Sequence, residues 1–250
     1  MIYAILAGAA LITSIISAIL GMGGGVTLLA ILLSFVTHAE AIPTHAAVQI
    51  ASNSTRVLAF IDNVDWNAFL RFTLGVLPGG ALGFFLLWQL GDPGASEPYL
   101  KTLVGGYILL ASWIPRGGSV EQRAGVWWDF PLMGLAAGTA ALTVGAVGPL
   151  IAPLFARRDF VKERLIATKA MCQLTTHFMK IPAFVLLRDL DLNKLGLLAV
   201  VMIVAVIPGT LIGKRLLRGI AERHFRVAFR IVLTLAGLKV LLVDGLWRLI

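Results

Sequence analysis

The chain has 250 residues, 58% of them hydrophobic and only 14% charged, with a mean hydropathy of +0.90. That is too little charge to dress a water-soluble domain of this size, and the net charge of +8 has no soluble basic domain to carry a nucleic-acid surface. Its meaning is topological: only Arg56, Arg71 and Lys101 of the 21 basic residues precede Pro115, and Lys and Arg concentrate in cytoplasmic loops of membrane proteins.

Apolar runs of membrane-spanning length recur throughout. The first, Ile2–Leu20, lacks a basic start and a small-residue cleavage site and leads into more membrane, so it is predicted as a span rather than a signal peptide. Helices are predicted over 2–20, 26–37, 43–61, 68–90 and 98–115, then over 125–142, 148–157, 163–187, 193–217 and 225–247. The segments 26–37 and 148–157 are too short to cross about 30 Å of hydrocarbon at 1.5 Å per residue. Each follows a longer helix across a glycine-rich break. The single cysteine, Cys172, excludes an internal disulfide framework.

The two sets of five helices look alike. GGGVTLLA (23–30) aligns with AVGPLIAP (146–153), pairing Gly25 with Gly148. AVQIASNSTR aligns with AMCQLTTHFMK, pairing Gln49 with Gln173, Ser52 with Thr176, Asn53 with His177 and Arg56 with Lys180. VDW (64–66) then meets LDL (190–192), and LPGGALG (77–83) meets IPGTLIG (207–213). The expected fold is therefore an all-α polytopic membrane protein built from two repeats, 1–115 and 125–250, joined by a linker at 116–124. Placing the basic loop Lys214–Arg226 in the cytoplasm and counting back puts 157–164, 116–123 and 62–66 inside, with 188–193 and 91–98 outside. Five helices per repeat is an odd number, so the repeats are expected to insert in opposite senses, each beginning with a glycine-broken hairpin, with both termini outside.

Irregular backbone cannot face lipid, because each unpaired N–H or C=O there costs several kcal/mol. Gly21–Gly25 and Thr143–Pro149 are therefore expected to line a wet cavity, each with the positive N-terminus of a short helix pointing at it. Two such termini from opposite sides make a midplane anion site. The helix after each hairpin carries a polar stripe. Gln49, Ser52, Asn53 and Arg56 share one face, as do Lys169, Gln173, Thr176, His177 and Lys180. Polar groups at membrane depth face a bundle interior or water, and stripes with donors but no carboxylate select an anion. The expected substrate-binding set is Gly23, Gly24, Gly25, Gln49, Ser52, Asn53, Arg56, Gly145, Gly148, Gln173, Thr176, His177 and Lys180. His177 titrates near neutrality and is a candidate for coupling a proton. Lys169, near its predicted helix start, reads as interfacial, Asp65 and Asp191 as loop or cap residues, and His38, His45 and His224 are given no role.

At GMGGG, AVQIASNSTR, VDW and PGGALG, and again from VGAVGPLIAP through IPGTLIG, the chain resembles the sulfite exporter TauE/SafE family of membrane transporters. It departs where the family pattern leads one to expect a proline: Ala30 stands in the first repeat, although Pro153 stands in the second. The resemblance implies a secondary transporter of sulfite, a sulfonate such as sulfoacetate, or another small organic anion, in a bacterial-type inner membrane. The expected partners are that anion, the lipid bilayer and protons as a candidate coupling ion, with no nucleic acid. No cofactor is expected: GxxxxGK[ST], HExxH and GxSxG are all missing, which speaks against ATP use and against an enzyme. The membrane potential alone expels anions from a negative interior, which favours export. An anion channel on the same scaffold and a non-transport membrane subunit are the alternatives.

Overall fold

The computed structural model describes residues 2–21, 23–32, 35–36, 38–90, 98–99, 102, 105–106, 109, 127–143, 145, 147–158, 160–187 and 192–249. They are all-helical. In chain order the helices are α1 (Ile2–Leu20), α2 (Gly24–Leu32), α3 (His38–Ala59), α4 (Trp66–Leu90), α5 (Asp129–Thr143), α6 (Gly148–Arg157), α7 (Lys162–Leu187), α8 (Leu192–Arg218) and α9 (Glu222–Leu238). Most of the predicted helix 98–115, the linker 116–124 and the loops 91–97 and 188–191 lie outside the described residues.

Three elements differ from expectation. The first short helix begins two residues earlier, at Gly24, and ends at Leu32, where the amides of Phe35 and Val36 both turn back to the Leu32 carbonyl. The next helix begins at His38 rather than at Pro43, so Pro43 lies inside it. The last helix ends at Leu238 and continues as a π-turn, Lys239–Val243. There Lys239 Nζ pairs with both carboxylate oxygens of Asp244, at 2.6 and 2.8 Å.

The polar helices α3 and α7 pack on each other at the centre, and α1, α4, α5 and α8 surround them. Ile2–Leu20, Trp66–Gln89 and Gly196–Arg218 are long and apolar enough to cross a membrane. Their outward faces carry exposed large apolar residues, among them Ile12, Leu70, Leu74, Leu77, Val200 and Val204. A patch of that extent is at home only in lipid.

The outer helices dock through glycine. On α4, Gly75, Gly79 and Gly83 lie against the α5 backbone at Pro131, Leu135 and Thr139 in turn. Rising numbers on both sides mean that α4 and α5 run parallel. On α8, Gly209 lies against Leu11 and Ser14, and Gly213 against Ile15 and Ala18, so α8 runs parallel to α1. Small residues four apart let two backbones touch, which replaces the missing hydrophobic drive inside a membrane. The hydroxyl of Thr139 adds a bond to the Gly79 carbonyl at 3.0 Å. The central pair runs the other way. His45, early in α3, meets His177, late in α7. Asp65, just past α3, donates its amide to Thr168 Oγ1, early in α7, at 2.9 Å.

One end of the bundle gathers the charges. Arg158 pairs with Asp129, Arg164 with Asp65 at 2.7 Å, and Lys214 Nζ donates to the Ala59 carbonyl. Asp65 also caps α4, its Oδ1 accepting the Ala68 amide at 2.9 Å. Partial burial opposes its charge, yet the bonds from Ala68, Arg164 and Asn67 hold its carboxyl below the ordinary value. A lowered carboxylate pKa stabilises above the unfolded value of about 3.9 and ceases to as pH falls through the folded one. Asp65→Ala should cost about 1 kcal/mol, the worth of a cap, because Arg164, 54% exposed, adds little as an ion pair. Asp65→Asn, which still caps, should recover most of it. Melting curves across pH check this: the gap between the wild-type protein and Asp65→Ala closes in acid.

Candidate functional site

Both hairpins reverse at glycines in the left-handed region. Gly21 (φ 70°) and Gly23 (φ 90°) follow α1, and Gly145 (φ 81°) follows α5. The Gly21 amide closes α1 onto the Ser17 carbonyl at 2.9 Å, and the Gly145 amide reaches the Ala140 carbonyl at 3.1 Å. Such a glycine ends a helix at no steric cost. The chain then re-enters as α2 and α6, whose first turns leave backbone amides without helical partners. No side chain caps α6. A glutamine stands over each start: a β-carbon on Gly25 would meet the Gln49 amide at 3.4 Å, and one on Gly148 would meet Gln173 Nε2 at 3.1 Å.

Between these two starts lies a cavity of ≈ 20 Å³, lined among others by Gly23, Gly25, His45, Gln49, Arg56, Gly148, Lys169, Gln173 and His177. That volume holds one or two waters. Arg56 folds back along α3, with Nε on the Ser52 carbonyl and Nη2 on Ser52 Oγ, both at 3.2 Å, and Nη2 3.5 Å from Gln49 Oε1. Lys169 Nζ crosses between the halves to the Gly21 carbonyl at 2.6 Å. Lys180 Nζ donates to the Gly145 carbonyl.

Arg56, Lys169 and Lys180 are 2%, 1% and 0% exposed. Among the described residues no Asp or Glu is buried with them and no ion pair reaches them. A buried charge stripped of its partner costs about 3–5 kcal/mol. Bonds to carbonyls offset only part of that. The arrangement calls for negative charge from outside the chain. Among the described residues no group of three or more His, Cys, Asp or Glu could hold a metal.

The sequence pattern described as Sulfite exporter TauE/SafE matches residues 6–240. The chain belongs to this family. TauE/SafE proteins are membrane exporters of sulfite and related anions, transporters rather than enzymes. No curated protein and no solved structure matches the chain.

Seven of the expected site residues of this TauE/SafE chain face one cavity: Gly23, Gly25, Gln49, Arg56, Gly148, Gln173 and His177. The other six sit around it. Gly24 packs against the Thr13 carbonyl and Ser17 hydroxyl, where only glycine lets the hairpin close. Ser52 and Gly145 hold Arg56 and Lys180 from behind. Thr176 Oγ1 turns back to the Gln173 carbonyl at 2.8 Å. Asn53 is fully buried, with neither side-chain polar atom bonded.

Two residues that sequence reasoning set aside belong to the cavity. Lys169, read as interfacial, is buried in it, two turns into α7, because its Nζ turns inward to the Gly21 carbonyl instead of reaching out along the helix. His45, given no role, lines it because α3 begins at His38 and carries position 45 well inside the helix. Both stand four residues before the paired glutamines; Lys169 already belongs to the α7 stripe, and extending the α3 stripe by one turn to match it would have found His45.

Proposed function

We propose that the chain is a secondary transporter moving a small sulfur-containing or organic anion, sulfite or a sulfonate such as sulfoacetate, outward across a bacterial-type inner membrane. The observation that carries this reading is the charge imbalance: Arg56, Lys169 and two helix N-termini line one cavity and the buried Lys180 lies beside His177 of its wall, with no buried carboxylate among the described residues.

Alternating access is the mechanism the packing favours. Residues 1–115 and 125–250 act as two repeats inserted in opposite senses, with 116–124 joining them. Supporting this, contacts between the halves come in exchanged pairs: α1 with α8 answers α5 with α4, and α3 with α8 answers α7 with α4. The parallel outer pairs and antiparallel central pair are what a two-fold axis in the membrane plane requires. The cavity is too small for a four-atom oxyanion, so the halves must part slightly to admit one and close again to release it on the other side. Export needs no coupling ion, since the membrane potential supplies about 2.3 kcal/mol per charge per 100 mV.

Thermal unfolding of the detergent-purified protein with sulfite, thiosulfate, sulfoacetate, acetate and cationic amines tests the site. Anions should stabilise, by about 2.7 kcal/mol at a hundred times Kd, and amines should not. Stabilisation by amines alone would overturn the reading.

A further inference from the structure

Two imidazoles face each other in the cavity, one from each half. The rings of His45 and His177 lie 5.6 Å apart, edge to face, and are 2% and 1% exposed. Their hydrogen bonds fix which nitrogen carries the proton in each. His45 Nε2 sits 2.9 Å from the Gly25 carbonyl, which only accepts, so Nε2 carries the hydrogen and Nδ1 is a bare lone pair. That Nδ1 is buried and bonded to nothing. His177 Nδ1 sits 3.3 Å from Lys180 Nζ. While Lys180 carries its third proton it only donates, so Nδ1 then accepts and the hydrogen is on Nε2. That Nε2 is also buried and bonded to nothing. The pair therefore offers one N–H with no acceptor and one lone pair with no proton, at a membrane-depth cavity where unpaired polar groups are expensive.

The charged and titratable groups around the rings are Lys180, Arg56 and Lys169, with Cys172 beside Lys169 on α7. Ser17 of α1, Val26 of α2 and Val147 and Pro149 before and in α6 complete the wall and do not ionise. The groups facing the rings are thus all cationic or neutral. A proton added there without a counter-charge meets the positive neighbours Lys180 and Arg56; a proton added beside a bound anion meets a negative one.

We propose that this pair loads a proton together with the anion: His177 Nε2–H donates to the anion, and His45 Nδ1 takes a proton from the bulk solvent. The proposal rests on the anion site above and adds its coupling. The proton comes from hydronium in the bulk solvent, one O–H bond breaking as the N–H bond forms and water leaving, and it stays on nitrogen. By linkage, the anion raises the affinity for the proton by the same factor as the proton raises the affinity for the anion. One linked proton tightens anion binding by about tenfold per pH unit lowered, within the range where the site titrates. Carrying the proton reduces by one the charge moved per cycle, so the membrane potential acts on the anion's charge less one.

Calorimetric titration with sulfoacetate, whose own groups stay ionised from about pH 6 to 8, tests this in buffers of different ionisation heat. The expected result is uptake of up to one proton per anion in the wild-type protein and none in His45→Gln, whose amide still donates to Gly25. His177→Gln should bind more weakly. His45→Asn serves as a second variant of the same lone pair. Binding without proton uptake in the wild type overturns the coupling and leaves the anion site standing. Uptake that persists in His45→Gln and His45→Asn moves the proton to a lysine and also overturns the assignment. No binding of sulfoacetate or sulfite at any pH sinks the anion site itself.

Discussion

Arg56→Gln should lose anion binding while the ligand-free protein stays folded. A charged ligand removed from a buried contact with an opposite charge costs at least about 2 kcal/mol, or about 30-fold in affinity. Ligand-free stability responds in the opposite sense. Arg56 and Lys169 line the cavity and Lys180 lies beside it, with no buried carboxylate among the described residues, so removing Arg56 relieves repulsion, and the ligand-free melting temperature should hold or rise. Glutamine still reaches Ser52, which Arg56 bonds at 3.2 Å. Flux of sulfite or sulfoacetate into proteoliposomes and the anion-induced melting shift read the two effects separately. Equal flux in mutant and wild type would remove Arg56 from the site. A collapse of ligand-free stability would recast Arg56 as a purely structural residue.

The second large effect is expected far from the cavity. Gly79→Leu should prevent α4 and α5 from docking. Even a β-carbon at Gly79 would sit 2.8 Å from the Leu135 backbone, and backbone cannot swing aside as a side-chain tip does. Overpacking costs about 1–3 kcal/mol when side chains absorb it; here two helix axes must separate, so about 3 kcal/mol or more is expected. Gly209→Leu, at the matching place on α8, should behave alike, since its β-carbon would meet the Leu11 carbonyl at 2.6 Å. Gly8→Leu is the control, with nothing within 4 Å of its added carbon. Monodispersity and melting temperature in detergent decide it. If Gly79→Leu and Gly8→Leu melt together, the glycines do not set the helix approach.

Much of this was legible in the sequence because membrane depth makes polarity and glycine informative. The four-residue and three-residue spacing of Gln49, Ser52, Asn53 and Arg56 marked one face of α3, and the structure puts Gln49 and Arg56 of that stripe at the cavity. What sequence could not supply was helix starts. Pro43 reads as a first-turn residue, but the helix begins five residues earlier, and that shift alone hid His45. Glycine also carried two meanings that spacing does not separate. Gly25 and Gly148 open the cavity, Gly24 lets a hairpin close, Gly79 and Gly83 of LPGGALG and Gly209 and Gly213 of IPGTLIG glue outer helices together, and Gly80 makes room for Met179 of α7. Only the neighbour across the gap tells these apart, and that neighbour is more than a hundred residues away for Gly209.

The pairing of α1 with α8 has a consequence for how the chain is made. α1 leaves the ribosome before α2 to α7, and α8, which covers Ser14 and Ala18, only after them. Gly24 of α2 soon covers Thr13 and Ser17, but until α8 arrives the Ser14 face of α1 stands in lipid with only the Leu11 carbonyl to satisfy its hydroxyl. Biogenesis therefore has a waiting stage that spans the synthesis of α2 to α7, during which the Ser14 face of α1 depends on the insertion machinery or on a provisional neighbour to shelter it.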